Sequence, residues 1–119
     1  MKIVPTSDRL NSGIFSSRGK GTVVKEGMEN GPPFYTCGRG QEKVGFSFSS
    51  FERHQRLDFS NLSDQDAEIA SGIAAGCNME SHGYLDFYCP QCQGPARIYF
   101  QYWDNGDYSD TIIIDLVIE

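Results

Sequence analysis

The feature that most constrains the fold of this chain is a set of four cysteines, two of which form the motif Cys89-Pro90-Gln91-Cys92. Cys-x-x-Cys spacing lets two thiolates of one tight turn reach the same metal ion. Pro90 and Gly94 favour such a turn, and segments typical of β-strands lie on both sides of it. The motif therefore predicts half of a tetrahedral metal site on a turn between two strands.

The other two cysteines complete either one zinc site or two disulfides. The chain starts without the apolar run of a signal peptide, and its longest apolar stretch is too short to span a membrane. We therefore expect a cytosolic protein, in which thiols stay reduced. This compartment favours a structural Zn²⁺ ion with four sulfur ligands: Cys37, Cys77, Cys89 and Cys92.

Three alternatives to this ligand set remain open at the level of sequence. Cys37 and Cys77 lie far apart in the chain, so they meet at one metal ion only if the fold brings them together. If it does not, they are small core residues. His54 or His82 can replace one sulfur. A thioredoxin-like redox site is disfavoured, because a strand pattern follows Cys92 in place of the helix that activates such a thiolate.

Secondary-structure signals predict an α+β domain with mainly antiparallel strands and a zinc-knuckle turn. One helix is predicted over about 63–76, where Ser63 can cap the first turn, acids suit the helix dipole and Gly76 favours its end. Strands are predicted at 2–4, 21–25, 33–37, 43–49, 56–59, 84–88, 96–103 and 111–118. No linker or repeat divides the chain, which indicates a single domain over residues 1–119.

The charges are distributed unevenly along the chain. Residues 1–56 carry nine Lys and Arg against five Asp and Glu, whereas residues 57–119 carry only Arg97 against eleven acids. The C-terminal half is therefore expected to repel nucleic acid and to attract basic partners.

The last predicted hairpin combines aromatic and acidic side chains. Aromatic rings supply contact area and carboxylates attract a basic partner, the combination found in proteins that mask a cationic surface. The predicted partner-binding residues are Tyr102, Trp103, Asp104, Asp107, Tyr108 and Asp110. The alternative is that Ile98, Phe100 and Tyr102 alternate toward the core and Tyr99, Gln101 and Trp103 cover the other side.

A second function is a nucleic-acid-binding or regulatory module with a zinc ribbon. Its aromatic and basic residues would be Tyr35, Arg39, Lys43, Phe46, Phe48, Arg53 and Arg56. The acidic remainder of the chain disfavours this function. We expect no enzyme, because the chain has no phosphate-binding loop, zinc-protease helix or serine-nucleophile elbow, and no catalytic residue is assigned.

The C-terminal third resembles small bacterial immunity proteins of the polymorphic-toxin type. The resemblance is carried by Tyr84-Leu85-Asp86-Phe87-Tyr88 with the Cys-Pro-x-Cys motif after it, by residues 95–99, and by Trp103 with the Ile-rich end of the chain. It implies a cytosolic, non-enzymatic protein that neutralises a toxin, with zinc serving the fold. A nuclease toxin must present a basic surface to its substrate, so an acidic inhibitor suits it.

Overall fold

The computed structural model describes residues 1–18, 23–24, 32–54, 60–104, 106 and 109–119. The elements are, in chain order, β1 (Ile3–Val4), α1 (Thr6–Arg9), β2 (Ile14–Arg18), β3 (Val23–Val24), β4 (Phe34–Thr36), β5 (Lys43–Gly45), α2 (Phe48–Arg53), α3 (Asp64–Ala75), β6 (Gly83–Tyr88), β7 (Pro95–Asp104) and β8 (Ser109–Ile118). The main antiparallel sheet has the order β3-β2-β8-β7-β6, with β1 also paired to β8, and β4 and β5 form a separate hairpin. The predicted α+β class with mainly antiparallel strands is confirmed.

The helix predicted over 63–76 is α3, and its ends follow the sequence signals. Ser63 Oγ accepts a hydrogen bond from the N–H of Asp66 at 3.2 Å, and Gly76 is the C-cap. The chain also forms two shorter helices, α1 and α2. In the part of the chain that the structure describes, no helix is long and apolar enough to cross a membrane.

The strand predicted over 43–49 ends early, at Gly45. Ser47 and Ser50 form a reciprocal capping box, which begins α2 at Phe48. Since each serine satisfies a free N–H group of the other, the local hydrogen bonds favour a helix over a longer strand. The strand β2 was not predicted, and the strand predicted at 56–59 lies outside the described residues.

The β7–β8 pair contains a β-bulge next to Asp115. Tyr99 is paired with Leu116 but Phe100 with Ile114, so the bulge gives β8 one extra residue. Asp115 Oδ1 accepts from Gln101 Nε2 at 2.8 Å and its Oδ2 from Ser81 Oγ at 2.6 Å. The bulge reverses which residues of β8 face each side of the sheet.

Both faces of the main sheet are covered. On one face the β4–β5 hairpin and α2 pack against it, with ring centroids 5.0 Å apart for Tyr35 and Phe87 and again for Phe51 and Phe100. On the other face α3 contributes Ala74 to a cluster formed by Ala74, Tyr84, Tyr99 and Ile118. The two faces therefore have separate cores.

A buried ion pair joins β6 and β7 beneath α3. The side chain of Arg97 is 1% exposed, and its Nε and Nη2 donate to the two oxygens of Asp86 at 2.7 and 2.9 Å. Ser71 of α3 and Tyr99 each accept from Nη1, and the guanidinium carbon lies 3.8 Å from the ring centre of Tyr84. Every donor group of this cation thus faces a polar partner or a ring.

Candidate metal centre

Three of the four cysteines meet at the ends of two hairpins. Cys37 follows β4, and Cys89 and Cys92 lie on the turn between β6 and β7. Their sulfur atoms all lie within 4.8 Å of one another, and the Sγ atoms of Cys37 and Cys92 are 3.3 Å apart. Thiolates that share a tetrahedral zinc ion at about 2.3 Å have sulfurs about 3.8 Å apart, so this spacing suits a metal ion.

The turn that carries Cys89 and Cys92 is closed by backbone hydrogen bonds. The N–H of Cys89 donates to the carbonyl of Gly94 at 2.9 Å, and the N–H of Gln93 donates to the carbonyl of Cys89 at 2.8 Å. Gln93 has a φ of 58°, the left-handed conformation. The N–H of Gly94 points at Cys92 Sγ, 3.4 Å away. The backbone therefore holds both sulfurs on one side of the turn.

Cys37 lies on a turn of the same kind between β4 and β5. Its N–H donates to the carbonyl of Glu42 at 2.8 Å and its carbonyl accepts from the N–H of Gln41 at 2.9 Å. Gln41 has a φ of 57°, and the N–H of Arg39 lies 3.5 Å from Cys37 Sγ. The Arg39 guanidinium lies against Gly94 on the other turn.

The thiols of Cys37 and Cys92 differ in acidity. Burial raises the pKa of Cys37, but hydrogen bonds from the backbone N–H groups of Arg39 and Gly40 and from the neighbouring thiols outweigh it and lower the pKa to about 7. The N–H of Gly94 lowers the pKa of Cys92, yet the neighbouring Cys37 raises it overall. Cys37 thus becomes a thiolate, the form that binds metals, more readily than Cys92.

A partly buried carboxylate, that of Glu119, braces the turn of Cys37, and no sequence signal pointed to it. Glu119 accepts hydrogen bonds from Tyr35 Oη and from Arg9, whose Nε and Nη2 lie 2.8 and 3.1 Å from its oxygens. Burial alone would raise the pKa of Glu119, but the bonds from Arg9, Tyr35 and the N–H of Gly38 lower it. The contact links residues at opposite ends of the chain, so only the fold reveals it.

The prediction that Cys77 is a fourth ligand is corrected by the structure, because Cys77 does not lie in the group of three sulfurs. It directly follows the C-cap of α3, where its N–H donates to the carbonyl of Ala74 at 2.9 Å and its Sγ lies 3.8 Å from the carbonyl oxygen of Ile73. The helix packs on one face of the sheet, and Cys37 and Cys89 belong to the core of the other.

Both histidines are engaged elsewhere. His54 Nδ1 lies 2.5 Å from the carbonyl oxygen of Ser50. His82 Nδ1 lies 2.9 Å from the backbone nitrogen of Tyr102, and its ring packs against Trp103. Among the residues that the structure describes, the group that can hold a metal ion consists of the three cysteines.

The predicted partner-binding residues divide between core and surface. Tyr102 is buried and donates to Asp110, whereas Trp103 is 47% exposed and Asp104 is exposed. Asp107 and Tyr108 lie outside the described residues. Burial raises the pKa of Tyr102, and Asp110, Glu52 of α2 and Asp104 raise it further. Glu52 therefore belongs to this acidic end, although its sequence position gave no indication of it.

The residues predicted for nucleic-acid binding do not present an open aromatic face. Tyr35 is 1% exposed, and Phe46 and Phe48 are half-buried against the core. Lys43 Nζ lies 4.8 Å from the ring centre of Phe34. Arg39 and Arg53 are exposed, and Arg56 lies outside the described residues. Tyr35, Phe46 and Phe48, the aromatic residues predicted for this function, therefore do not offer bases an exposed ring on which to stack.

Comparison of the chain with models of protein families, with curated proteins and with solved structures found no match.

Proposed function

We propose that this chain is a non-enzymatic protein inhibitor, an immunity or anti-nuclease protein that binds a basic partner through the acidic end of the β7–β8 hairpin. The observation that carries the proposal is the position of Trp103, the only tryptophan, which is 47% exposed at that end. Asp104, Asp110 and Glu52 lie around the neighbouring Tyr102. An exposed tryptophan among carboxylates suits the centre of an interface with a basic protein.

In this proposal a Zn²⁺ ion at the cysteine centre serves the fold. Thiolates are ligands that zinc prefers, and three of them converge here from two turns. A two-stranded hairpin is only marginally stable by itself in water, so an ion that ties β4 and β5 to the β6–β7 turn adds to the packing that holds this short hairpin on the sheet. Zinc bound in this way leaves the acidic hairpin end free for a partner.

Zinc content and thiol reactivity test the metal centre. Protein purified from cytosol without added metal is expected to hold one zinc per chain and to show one reactive thiol, Cys77. The other three thiols should react only after a chelator removes the ion, because bound thiolates are protected. Four freely reacting thiols and no metal would contradict the zinc proposal.

Titration with a purified basic protein encoded beside this gene tests the inhibitor. We expect a complex that weakens as salt rises, since charge attraction contributes to its formation. Trp103→Ala is expected to weaken it at least about thirtyfold, the effect of losing an interface residue worth about 2 kcal/mol. Isothermal titration calorimetry measures both the salt dependence of the affinity and the effect of Trp103→Ala.

Ile69→Ala is the matched control, because Ile69 is 42% exposed on α3 and is also a large apolar residue. It should leave the affinity unchanged. Equal losses in the two variants, or no complex with any of the neighbouring gene products, would overturn the proposed function.

A further inference from the structure

The two cysteine turns are equivalent in their backbone hydrogen bonds. In each, the N–H of the first cysteine donates to the carbonyl five residues later, and its carbonyl accepts from the N–H four residues later. In each, the residue four positions after that cysteine is a glutamine in the left-handed conformation, Gln41 or Gln93. Each turn joins two antiparallel strands, paired at Thr36 and Lys43 in one hairpin and at Tyr88 and Pro95 in the other.

This equivalence aligns the two turns residue by residue. Cys37 corresponds to Cys89, and the position of Cys92 corresponds to Gly40. The second turn thus contributes two sulfurs, whereas the first contributes one and has a glycine where a second sulfur would complete four ligands. A search for motifs does not reveal that the two turns are equivalent, because Cys37-Gly38-Arg39-Gly40 lacks the second cysteine of a Cys-x-x-Cys motif.

We propose that a metal ion at this centre has three protein thiolates and a fourth coordination position, on the side of Gly40, that takes a small exogenous ligand. This inference rests on the proposed metal centre. Among the residues that the structure describes, the other candidate donors Cys77, His54 and His82 lie outside this group of sulfurs. Gly40 is exposed and so is Cys92, so the open position faces solvent.

The class of ligand that suits the position best is a thiol. Three thiolates select a soft or borderline ion, for which a fourth sulfur is a matching donor. Three sulfurs on Zn²⁺ give a net charge of −1, and a thiolate makes it −2. The Arg39 guanidinium, which lies against Gly94 beside Cys92, offsets part of that charge. A tetrahedral zinc ion with three protein ligands keeps its fourth position open to exchange.

Gly40→Cys is the variant that tests the inference, since it restores the missing sulfur. A Cβ at Gly40 would lie 2.9 Å from Oε1 of Gln91, the far end of a flexible side chain that can move away. Gly45→Cys is the control, because Gly45 is exposed on β5 and an added Cβ meets nothing within 4 Å. It adds one thiol outside the centre.

The experiment uses Co²⁺ as a spectroscopic probe and the zinc affinity as a second readout. In the wild type, 2-mercaptoethanol is expected to shift the cobalt d–d bands as it takes the fourth position. In Gly40→Cys the bands should show four sulfurs without added thiol and should not respond to it. Zinc affinity should rise at least about tenfold in Gly40→Cys and stay unchanged in Gly45→Cys.

The outcomes distinguish a wrong fourth coordination position from a wrong metal centre. If the wild type binds neither cobalt nor zinc, the metal centre itself is wrong. The inference is overturned if the wild type binds cobalt but its d–d bands do not change with added thiol, and if Gly40→Cys binds zinc no more tightly. The fourth ligand is then a group of the protein. A Gln91→Ala variant that alters the bands would identify that ligand as Gln91, and metal-dependent dimers would identify it as a donor from a second copy.

Discussion

Asp86→Asn is expected to lower the free energy of unfolding by about 3–5 kcal/mol, the usual result of removing one partner from a buried ion pair. The substitution leaves the guanidinium of Arg97, 1% exposed, without its counter-charge. Whole domains are stable by about 5–15 kcal/mol, so the loss removes a large share of the total. Urea denaturation of wild type and variant measures it.

Glu80→Gln is the matched control, because it makes the same change of carboxylate to amide at an exposed position. Its free energy of unfolding should stay within about 0.5 kcal/mol of wild type. A double variant, Asp86→Leu with Arg97→Met, should recover much of the loss, since no buried charge then lacks a partner. A loss in Asp86→Asn no larger than in Glu80→Gln would mean that the pair is not buried as described.

Cys37→Ser is expected to abolish the stabilisation that zinc provides, whereas Cys77→Ser retains it. With free zinc held at one hundred times the dissociation constant, bound zinc stabilises the folded chain by about 2.7 kcal/mol. Cys37 supplies the sulfur that belongs to the β4–β5 hairpin, so without it the ion no longer ties that hairpin to the β6–β7 turn. Urea denaturation with zinc and with a chelator measures the difference for each variant.

The Cys77→Ser variant decides whether the ligand set is three or four cysteines. If Cys77→Ser loses zinc as Cys37→Ser does, Cys77 belongs to the centre and the ligand set has four cysteines. If both variants keep the zinc-dependent stabilisation, neither cysteine is a ligand. The two serine variants remove the same atom, so a difference between them reflects position alone.

Much of the fold followed from local chemistry. The cap at Ser63 and the glycine at Gly76 predicted α3 to within one residue at each end, because both signals act over a single turn. The strands of the β6–β7–β8 region were predicted for a similar reason, since alternating apolar residues bounded by turn residues indicate strands. The start of α2 was missed, because a serine capping box resembles the polar half of a Phe-Ser strand pattern.

The residues of the candidate site divide more sharply into those that the sequence predicted and those that only the fold revealed. Cys89 and Cys92 were predictable as a pair, because their spacing alone places two sulfurs on one turn. Whether Cys37 or Cys77 joins them depends on which face of the sheet each element covers, and no local sequence pattern indicates that face. The bulge at Asp115 was not predictable for the same reason. It changes which side chains of β8 face each side of the sheet, and Asp115 there contacts Gln101 and Ser81, which are distant in the chain.

The sequence by itself determined the α+β class, the long helix, the Cys-Pro-Gln-Cys turn and the acidic C-terminal half, because each depends on neighbouring residues or on composition. Only the tertiary structure decided that Cys37 completes the group of sulfurs, that Gly40 takes the position of a fourth, and that Arg97 is buried against Asp86. These features join segments that are distant in the chain. Long-range packing sets such contacts, and it is the sum of many interactions that no single motif encodes.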